Sequence, residues 1–337
     1  MKKLLPFFLL ISLLSLFLLS VKKFLFEIKR VSLYVEVKKG ETVKDVAKKL
    51  ESLGVVSDWR PLYYFMRVAG IYPKEGCYKI EGFYSPAEIS RFLTAGSPCL
   101  KSFTILPGYD IFDVNRVLYE KGFCEKGEVL ALSRDKEFLK ELSVPFLEGF
   151  LFPDTYLVNR NSDCREALRF AVNNFKEKVY PLFDGYSPPE KVKRALSPVT
   201  ITSILKVASI VEKETPSQEE KPVIAAVIYN RLIKGMKLQC DPTVFYAYKL
   251  KGINKEKLHK GDTLFPSPFN TYYVSGLPPT PICNPSLSSI KAAMYPAEVD
   301  YLYFVSMGNG RHAFSKSYNQ HLKLVRKYLK NGKKVRN

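Results

Sequence analysis

The order of apolar and polar positions divides this chain into an apolar leader, a repeated strand–helix pattern and a longer mixed region. Residues 4–21, LLPFFLLISLLSLFLLSV, form an uncharged run, close to the roughly 20 residues that cross a bilayer. Lys2 and Lys3 precede it, and Lys22 and Lys23 follow. No small-x-small cleavage site closes the run, so residues 1–23 read as a short cytoplasmic tail and a retained transmembrane signal anchor. Basic residues at both ends make charge a weak guide to orientation. A short tail before a large domain leaves that domain on the far side of the membrane.

Next, VEVKKGETVKDVAKKLESLGV (35–55) aligns without gaps to FTILPGYDIFDVNRVLYEKGF (103–123). The copies share Gly40/Gly108, Asp45/Asp113, Val46/Val114, Leu50/Leu118 and Gly54/Gly122. Each reads as a short alternating strand, a glycine turn, and a helix capped by Thr42 or Asp110 and ended by glycine. Between them, GCYKIEGFYSPAEISRFLTAG (76–96) reads as a strand followed by a helix. An α+β module over 30–143 is expected.

From Pro145 the pattern changes, and a second mixed α+β domain is expected over 145–337. LEGFLFPDTYLV (147–158) is apolar and aromatic around Glu148 and Asp154, and an amphipathic stretch runs from Asp163 to Tyr180. A helix is predicted from Ser197, with Pro198 in its first turn, to Thr215. Another is predicted from a Ser217/Glu220 capping box to Gly235. Asp241-Pro242 and Asn284-Pro285 each restart a helix. YLYFVSM, GNGR and HAFS read as a hairpin, and Ser317 and Gln320 cap a last basic helix ending at Gly332.

On the helix SPVTITSILKVASIVEKET, Ile201, Leu205, Ala208 and Glu212 share one stripe. A carboxyl among core-facing positions is costly unless paired or protonated. Burial raises its pKa, as a general acid requires near neutral pH. The stripe alone admits two readings: a catalytic acid, or a buried carboxyl satisfied by a backbone group or an arginine.

Composition narrows the classes. The 337 residues suffice for two or three domains, and 46% hydrophobic with 25% charged is ordinary for a packed protein. Lys+Arg 52 against Asp+Glu 33 leaves +19, which favours anionic partners such as lipid headgroups or acidic polysaccharide. No nucleic-acid module is visible, so nucleic acid is not an expected partner. Cys77, Cys99, Cys124, Cys164, Cys240 and Cys283 form no CxxC. The three histidines lack paired-ligand spacing, so neither a metal nor another cofactor is expected. Disulfides suit an exported protein, but their pairing stays open, as does the alternative of buried free thiols.

Downstream of Glu212, polar residues sit in apolar, turn-rich surroundings: Asn230 and Arg231, Gln239 and Asp241, Asn270 and Tyr272, and His312 beside Phe314. Amides and aromatic rings together suit a sugar-binding groove. Singly, Asp241 and Asn284 also serve as helix caps, Asn270 as a turn residue and Tyr272 as core.

ASIVEKET, YNRL…GMKLQCDPTV, FNTY…GLPPTPICNP and YLYFV…HAFS occur in that order after LEGFLFPDTY. In these segments the chain resembles the MltG (YceG-like) endolytic murein transglycosylases. The first repeat copy resembles, more loosely, a LysM-type glycan-binding unit. The family resemblance implies peptidoglycan glycan strands as substrate, peptidoglycan synthases as partners, and residues 145–337 as the catalytic domain, on the extracytoplasmic side of the membrane. It implies a single catalytic carboxyl, carried onto Glu212, with its neighbour Glu214 structural. Asn230, Gln239, Asp241, Asn270, Tyr272 and His312 are the expected sugar-binding residues. The expected product is 1,6-anhydro-N-acetylmuramic acid, formed at the β-1,4 bond to N-acetylglucosamine. Two alternatives stay open: a two-carboxylate muramidase using Asp241, and a non-catalytic membrane-anchored glycan binder.

Overall fold

The computed structural model describes residues 21–96, 99–160 and 162–330, apart from the side chains of residues 329 and 330. The apolar run, apart from Val21, and Gly332 lie outside the described residues. Among the described residues no helix is long and apolar enough to cross a membrane. The fold is mixed α+β, in two compact units: residues 1–101 with 158–161, and residues 102–157 with 162–337.

In the first unit, residues 21–26 are helical (α1) and lead into strand β1 (Lys29–Val37), helices α2 (Val43–Ser52) and α3 (Trp59–Val68), strand β2 (Gly76–Tyr84) and helix α4 (Pro86–Phe92). β1 and β2 pair antiparallel, with Val35 opposite Tyr78 and Val37 opposite Gly76. Alternation along β1 turns Val35 and Val37 inward against Val46, Leu50, Leu62 and Met66. Thr42 caps α2 in a reciprocal box with Asp45, as expected. A disulfide joins Cys77 to Cys99.

Strands β3 (Leu100–Thr104) and β4 (Thr155–Asn159) pair with each other, and the division between the units falls within both. The second repeat copy continues from β3 into α5 (Ile111–Glu120), boxed by Asp110 and Asp113. The two copies are alike locally but pack into different units. The expected module over 30–143 therefore divides after Lys101 instead of near residue 144. The second copy is tied elsewhere: Gly108 N–H donates to Asn284 O at 2.9 Å, Asn284 N–H to Tyr109 O at 2.8 Å, and Ile111 N–H to Glu148 at 2.9 Å.

The second unit continues through α6 (Glu128–Leu132), α7 (Lys136–Glu141), α8 (Cys164–Val179) and α9 (Glu190–Ala195) to α10 (Ile201–Glu214). Then come α11 (Lys221–Ile233), α12 (Asp241–Lys249), α13 (Leu287–Met294), the antiparallel hairpin β5 (Tyr303–Ser306) and β6 (His312–Ser315), and α14 (Tyr318–Val325). α10 is the central element, packed by α11, α12 and α13. Its residues Ile204, Leu205, Val207, Ala208, Ser209, Ile210 and Val211 are all buried. A second disulfide joins Cys124 to Cys164, and Cys240 and Cys283 are buried thiols.

Three helix starts differ from expectation. Thr200, boxed with Ser203, caps α10, leaving Ser197 and Pro198 outside. Residues 217–220 form a turn, and α11 begins at Lys221 with Pro222 in its first turn. Glu220 there accepts from His312 instead of closing a box with Ser217. Ser286, not Asn284, caps α13. Asn284 is wholly buried: its Oδ1 accepts from Gly149 N–H at 2.9 Å and Leu151 N–H at 3.0 Å. Gly149 has φ +85°, and a Cβ there would meet Pro281 Cγ at 2.6 Å, so only glycine fits. LEGFLF and the PPTPICNP loop thus clamp one another as scaffold.

Candidate active site

Helix α10 ends in two carboxylates with opposite surroundings. Glu212 lies at the N-terminus of α13. Its Oε2 accepts from Ser286 N–H at 2.8 Å, from Ser289 Oγ at 2.6 Å and from Ser286 Oγ. Lys221, only 2% exposed, puts Nζ 3.3 Å from it and also donates to Ser286 and Ser288. Burial pushes the Glu212 pKa up, but the Ser286 and Ser289 hydrogen bonds and the Lys221 ammonium outweigh it, and the net shift is downward. The positive end of α13 favours the anion further. Glu212 is thus a locked carboxylate, whereas the sequence reading expected a proton donor there.

Glu214, two residues on, is rotated about 200° around the helix. Burial pushes its pKa up, the nearby Asp241 charge adds to this, and the Cys240 hydrogen bond and Arg231 oppose it. The carboxyl settles at about 7. It is half-buried and lines a groove of about 390 Å³ with Arg231, Gln239, Asp241, Tyr272, the hairpin residues Tyr303, Phe304, Ser306 and His312, and Tyr318 and His321 of α14.

The groove wall is built from loops with consumed backbone groups. Arg231 donates Nε to Leu302 O at 2.7 Å and Nη1 to Leu238 O at 2.5 Å, and lies over the Tyr303 ring. That anchors both sides of the groove to α11. Gln239 holds a left-handed φ of 52°, with its N–H on Thr271 O at 3.1 Å. Strain of this kind on a non-glycine residue collects at functional sites. Asp241 is the first residue of α12, and its cap position belongs to Cys240. No capping bond ties the Asp241 carboxylate, which instead accepts the Tyr272 hydroxyl at 2.7 Å. His312 binds Glu220 twice, through N–H and through Nδ1, each at 2.8 Å.

Of the residues expected to bind sugar, Gln239, Asp241, Tyr272 and His312 come together in this groove. Asn230 and Asn270 do not. Asn230 Nδ2 donates to Val299 O and Tyr301 O, both at 2.9 Å. Asn270 is wholly buried, donates to Thr263 O and Phe265 O, and accepts the Tyr272 N–H. Both amides are spent on carbonyls of irregular backbone, so they position the walls instead of facing a ligand. Phe314 stacks on Tyr301. Sequence reasoning missed Glu214, Tyr303, Tyr318, His321 and the partner Glu220. The available signal for Glu214 was its place at the last helical position before Pro216, where a buried helix must reach a surface.

A carboxyl titrating near neutrality, beside the Asp241 carboxylate in a groove of aromatic rings, an amide and imidazoles, defines a site for acid–base chemistry. A model of the YceG-like family matches residues 35–327, and the chain belongs to that family. It is 28% identical over 318 residues to the endolytic murein transglycosylase of Bacillus subtilis (strain 168), covering 89% of this chain and 86% of that one. Against the endolytic murein transglycosylase of Streptococcus pneumoniae serotype 2 (strain D39 / NCTC 7466), identity is 25% over 327 residues; the match covers 88% of this chain and spans 58% of the relative. The solved yceG-like protein lmo1499 from Listeria monocytogenes is 29% identical with a TM-score of 0.57, covering 88% of this chain and all of the other.

Proposed function

We propose that this chain is an endolytic murein transglycosylase in which Glu214 is the catalytic acid and base. The observation that carries this is the contrast at the end of α10: Glu212 is held as an anion, while Glu214 faces the groove with its pKa near 7. The similarity to endolytic murein transglycosylases supports peptidoglycan strands as the substrate. Protonated Glu214 gives its proton to the glycosidic oxygen, and the C1–O bond breaks. The 6-hydroxyl of the same muramic residue attacks C1, and Glu214 takes back that hydroxyl's proton. Atoms balance without water, and the product is a 1,6-anhydro sugar. Tethering of the nucleophile offsets much of the entropic cost. Asp241 beside Glu214 helps keep it protonated. Gln239 and the rings of Tyr272 and Tyr303 suit sugar amides and pyranose faces.

The remaining parts of the proposal concern placement. The apolar run anchors the chain, with both units on the extracytoplasmic side beside peptidoglycan synthases. The two disulfides fit an oxidising compartment. The first unit serves as a LysM-like glycan grip; the V-x-x-G-x-T turn leading into α2 supports that role.

Mass spectrometry of muropeptides released from purified glycan strands in labelled water tests the reaction. Ends one water lighter than a hydrolytic product, free of the label, are expected. Label at reducing-end muramic acid overturns the lyase mechanism in favour of a muramidase using Glu214 and Asp241. Absence of any cleavage by the full chain leaves only a glycan binder.

A further inference from the structure

Helix α3, WRPLYYFMRV, is amphipathic, yet its solvent side mixes Arg60 and Arg67 with large apolar side chains. Leu62 and Met66 point into the core, both fully buried. An amphipathic helix normally turns only polar residues to solvent, yet on the outer face of α3 Val68 is 90% exposed and Tyr64 65% exposed. Phe26, the last residue of α1, and Ile28, just after it, are 48% and 62% exposed. Between α1 and α3 lies an apolar groove of about 670 Å³, lined by Val21, Leu25, Pro61, Tyr64, Phe65 and Val68. Exposed apolar surface of this extent marks an interaction site.

The chain itself indicates the occupant. Val21 is both a wall of this groove and the last residue of the apolar run from Leu4. A chain that leaves the bilayer at Val21 brings the groove and the outer face of α3 to the bilayer surface. Lys22, Lys23 and Arg67 are exposed around the patch, where cations meet anionic headgroups; Arg60 is paired with Asp58, which also lines the groove. Tyrosine and a flanking belt of lysine and arginine are the side chains that settle at this depth.

We propose that the face formed by α1 and the outer side of α3 beds into the headgroup layer of an anionic bilayer, so that the first unit lies on the membrane instead of swinging free on the anchor. This rests on the anchor reading of residues 4–21. Trp59 is the sole tryptophan of the chain, so Trp59→Phe with Val68→Trp puts one reporter on the patch. The full chain carrying both changes is reconstituted in phosphatidylglycerol-containing vesicles whose lipids are brominated high in their acyl chains. Flotation with the vesicles, a blue-shifted emission and loss of most of that emission to bromine are expected. Flotation with unshifted, unquenched emission overturns the bedding alone. Failure to float overturns the anchor and the bedding together. Blue-shifted emission that escapes bromine and disappears as protein is diluted in the vesicles assigns the face to a second copy of the chain. A second variant, Tyr64→Glu with Val68→Glu, should still float but become readily cleaved by added protease within α3; unchanged protection counts against the proposal.

Discussion

The two carboxylates at the end of α10 predict opposite phenotypes for one substitution. Glu214→Gln keeps the shape but removes the transferable proton, so cleavage should fall by ~10²–10⁴-fold, about 2.7–5.4 kcal/mol of barrier. The folded state should not suffer. The folded pKa of Glu214, about 7, lies above its ordinary value of 4.5. Its contribution to stability is therefore present at low pH and lost as pH rises through about 7. At about 1.4 kcal/mol for each tenfold change in proton affinity, discounted for solvent reaching the groove, glutamine there should stabilise the protein by roughly 1–2 kcal/mol in mild alkali.

Glu212→Gln does the reverse. It leaves the Lys221 ammonium buried without a counter-charge, facing the Ser286 and Ser288 hydroxyls and a neutral amide. Breaking a buried pair costs about 3–5 kcal/mol, lessened here because glutamine retains one acceptor oxygen. Thermal melts and anhydro-muropeptide yield per folded molecule, taken on both variants, separate the roles. Loss of stability with retained turnover is expected for Glu212→Gln, and lost turnover with an intact melt for Glu214→Gln. The reasoning is refuted if Glu212→Gln is folded and inactive while Glu214→Gln cleaves within a few-fold of the parent.

Three further outcomes are expected. Asp241→Asn removes the like charge beside Glu214, so the alkaline limb of the pH–rate profile should move to lower pH, with the rate in mild acid kept; loss of activity across the whole profile would instead give Asp241 a direct role. Glu148 is 5% exposed, its Oε1 has no hydrogen-bond partner among the described residues, and burial pushes its pKa up to about 8. The parent should therefore lose stability as pH rises from 4.5 towards 8, by at most about 1.4 kcal/mol per tenfold change in proton affinity. Glu148→Gln should flatten that slope in pH-dependent melts, and an unchanged slope rules Glu148 out as its source. The Cys124–Cys164 disulfide closes a separation of 40 residues, so replacing both by serine should cost ~4 kcal/mol by loop entropy, read as a lower denaturation midpoint.

The parts of this fold that were legible in the sequence are those fixed by short-range chemistry. Thr42 and Asp110 each cap the helix expected of them, because a cap needs only its own first turn. The Tyr303–Ser315 hairpin and the α12 start at Asp241 also stand where the pattern placed them. Where two candidates competed, the local rule lacked the deciding term. Asn284 is a good cap by type, but the bare N–H groups of Gly149 and Leu151, far away in sequence, claim its carbonyl, and Ser286 takes the cap. Asn230 and Asn270 illustrate the same limit. A sequence displays an amide but not the carbonyls of Tyr301 or Phe265 that consume it. Gln239, Asp241 and Tyr272 reach the groove because Arg231 and Thr271 bind the Leu238 carbonyl and the Cys240 N–H of their loops, and His312 because Glu220 holds it.

Periodicity could not separate Glu212 from Glu214, for a reason specific to α10. Periodicity tells which face of a helix is buried only when another face is not. α10 is packed by three helices, so Val207, Ile210 and Val211, off the expected stripe, are as buried as Leu205 and Ala208 upon it. On such a helix an apolar stripe carries no information about where a groove opens. The end of the helix does: the first carboxylate met by the donors of α13 is favoured as an anion and pins α10 in place, and the next one, turned about 200° away and offered fewer donors than burial requires, has its pKa raised to about 7. Identical side chains two residues apart thereby meet opposite surroundings, and under the proposed mechanism it is these environments, not the residue type, that assign fastener and acid.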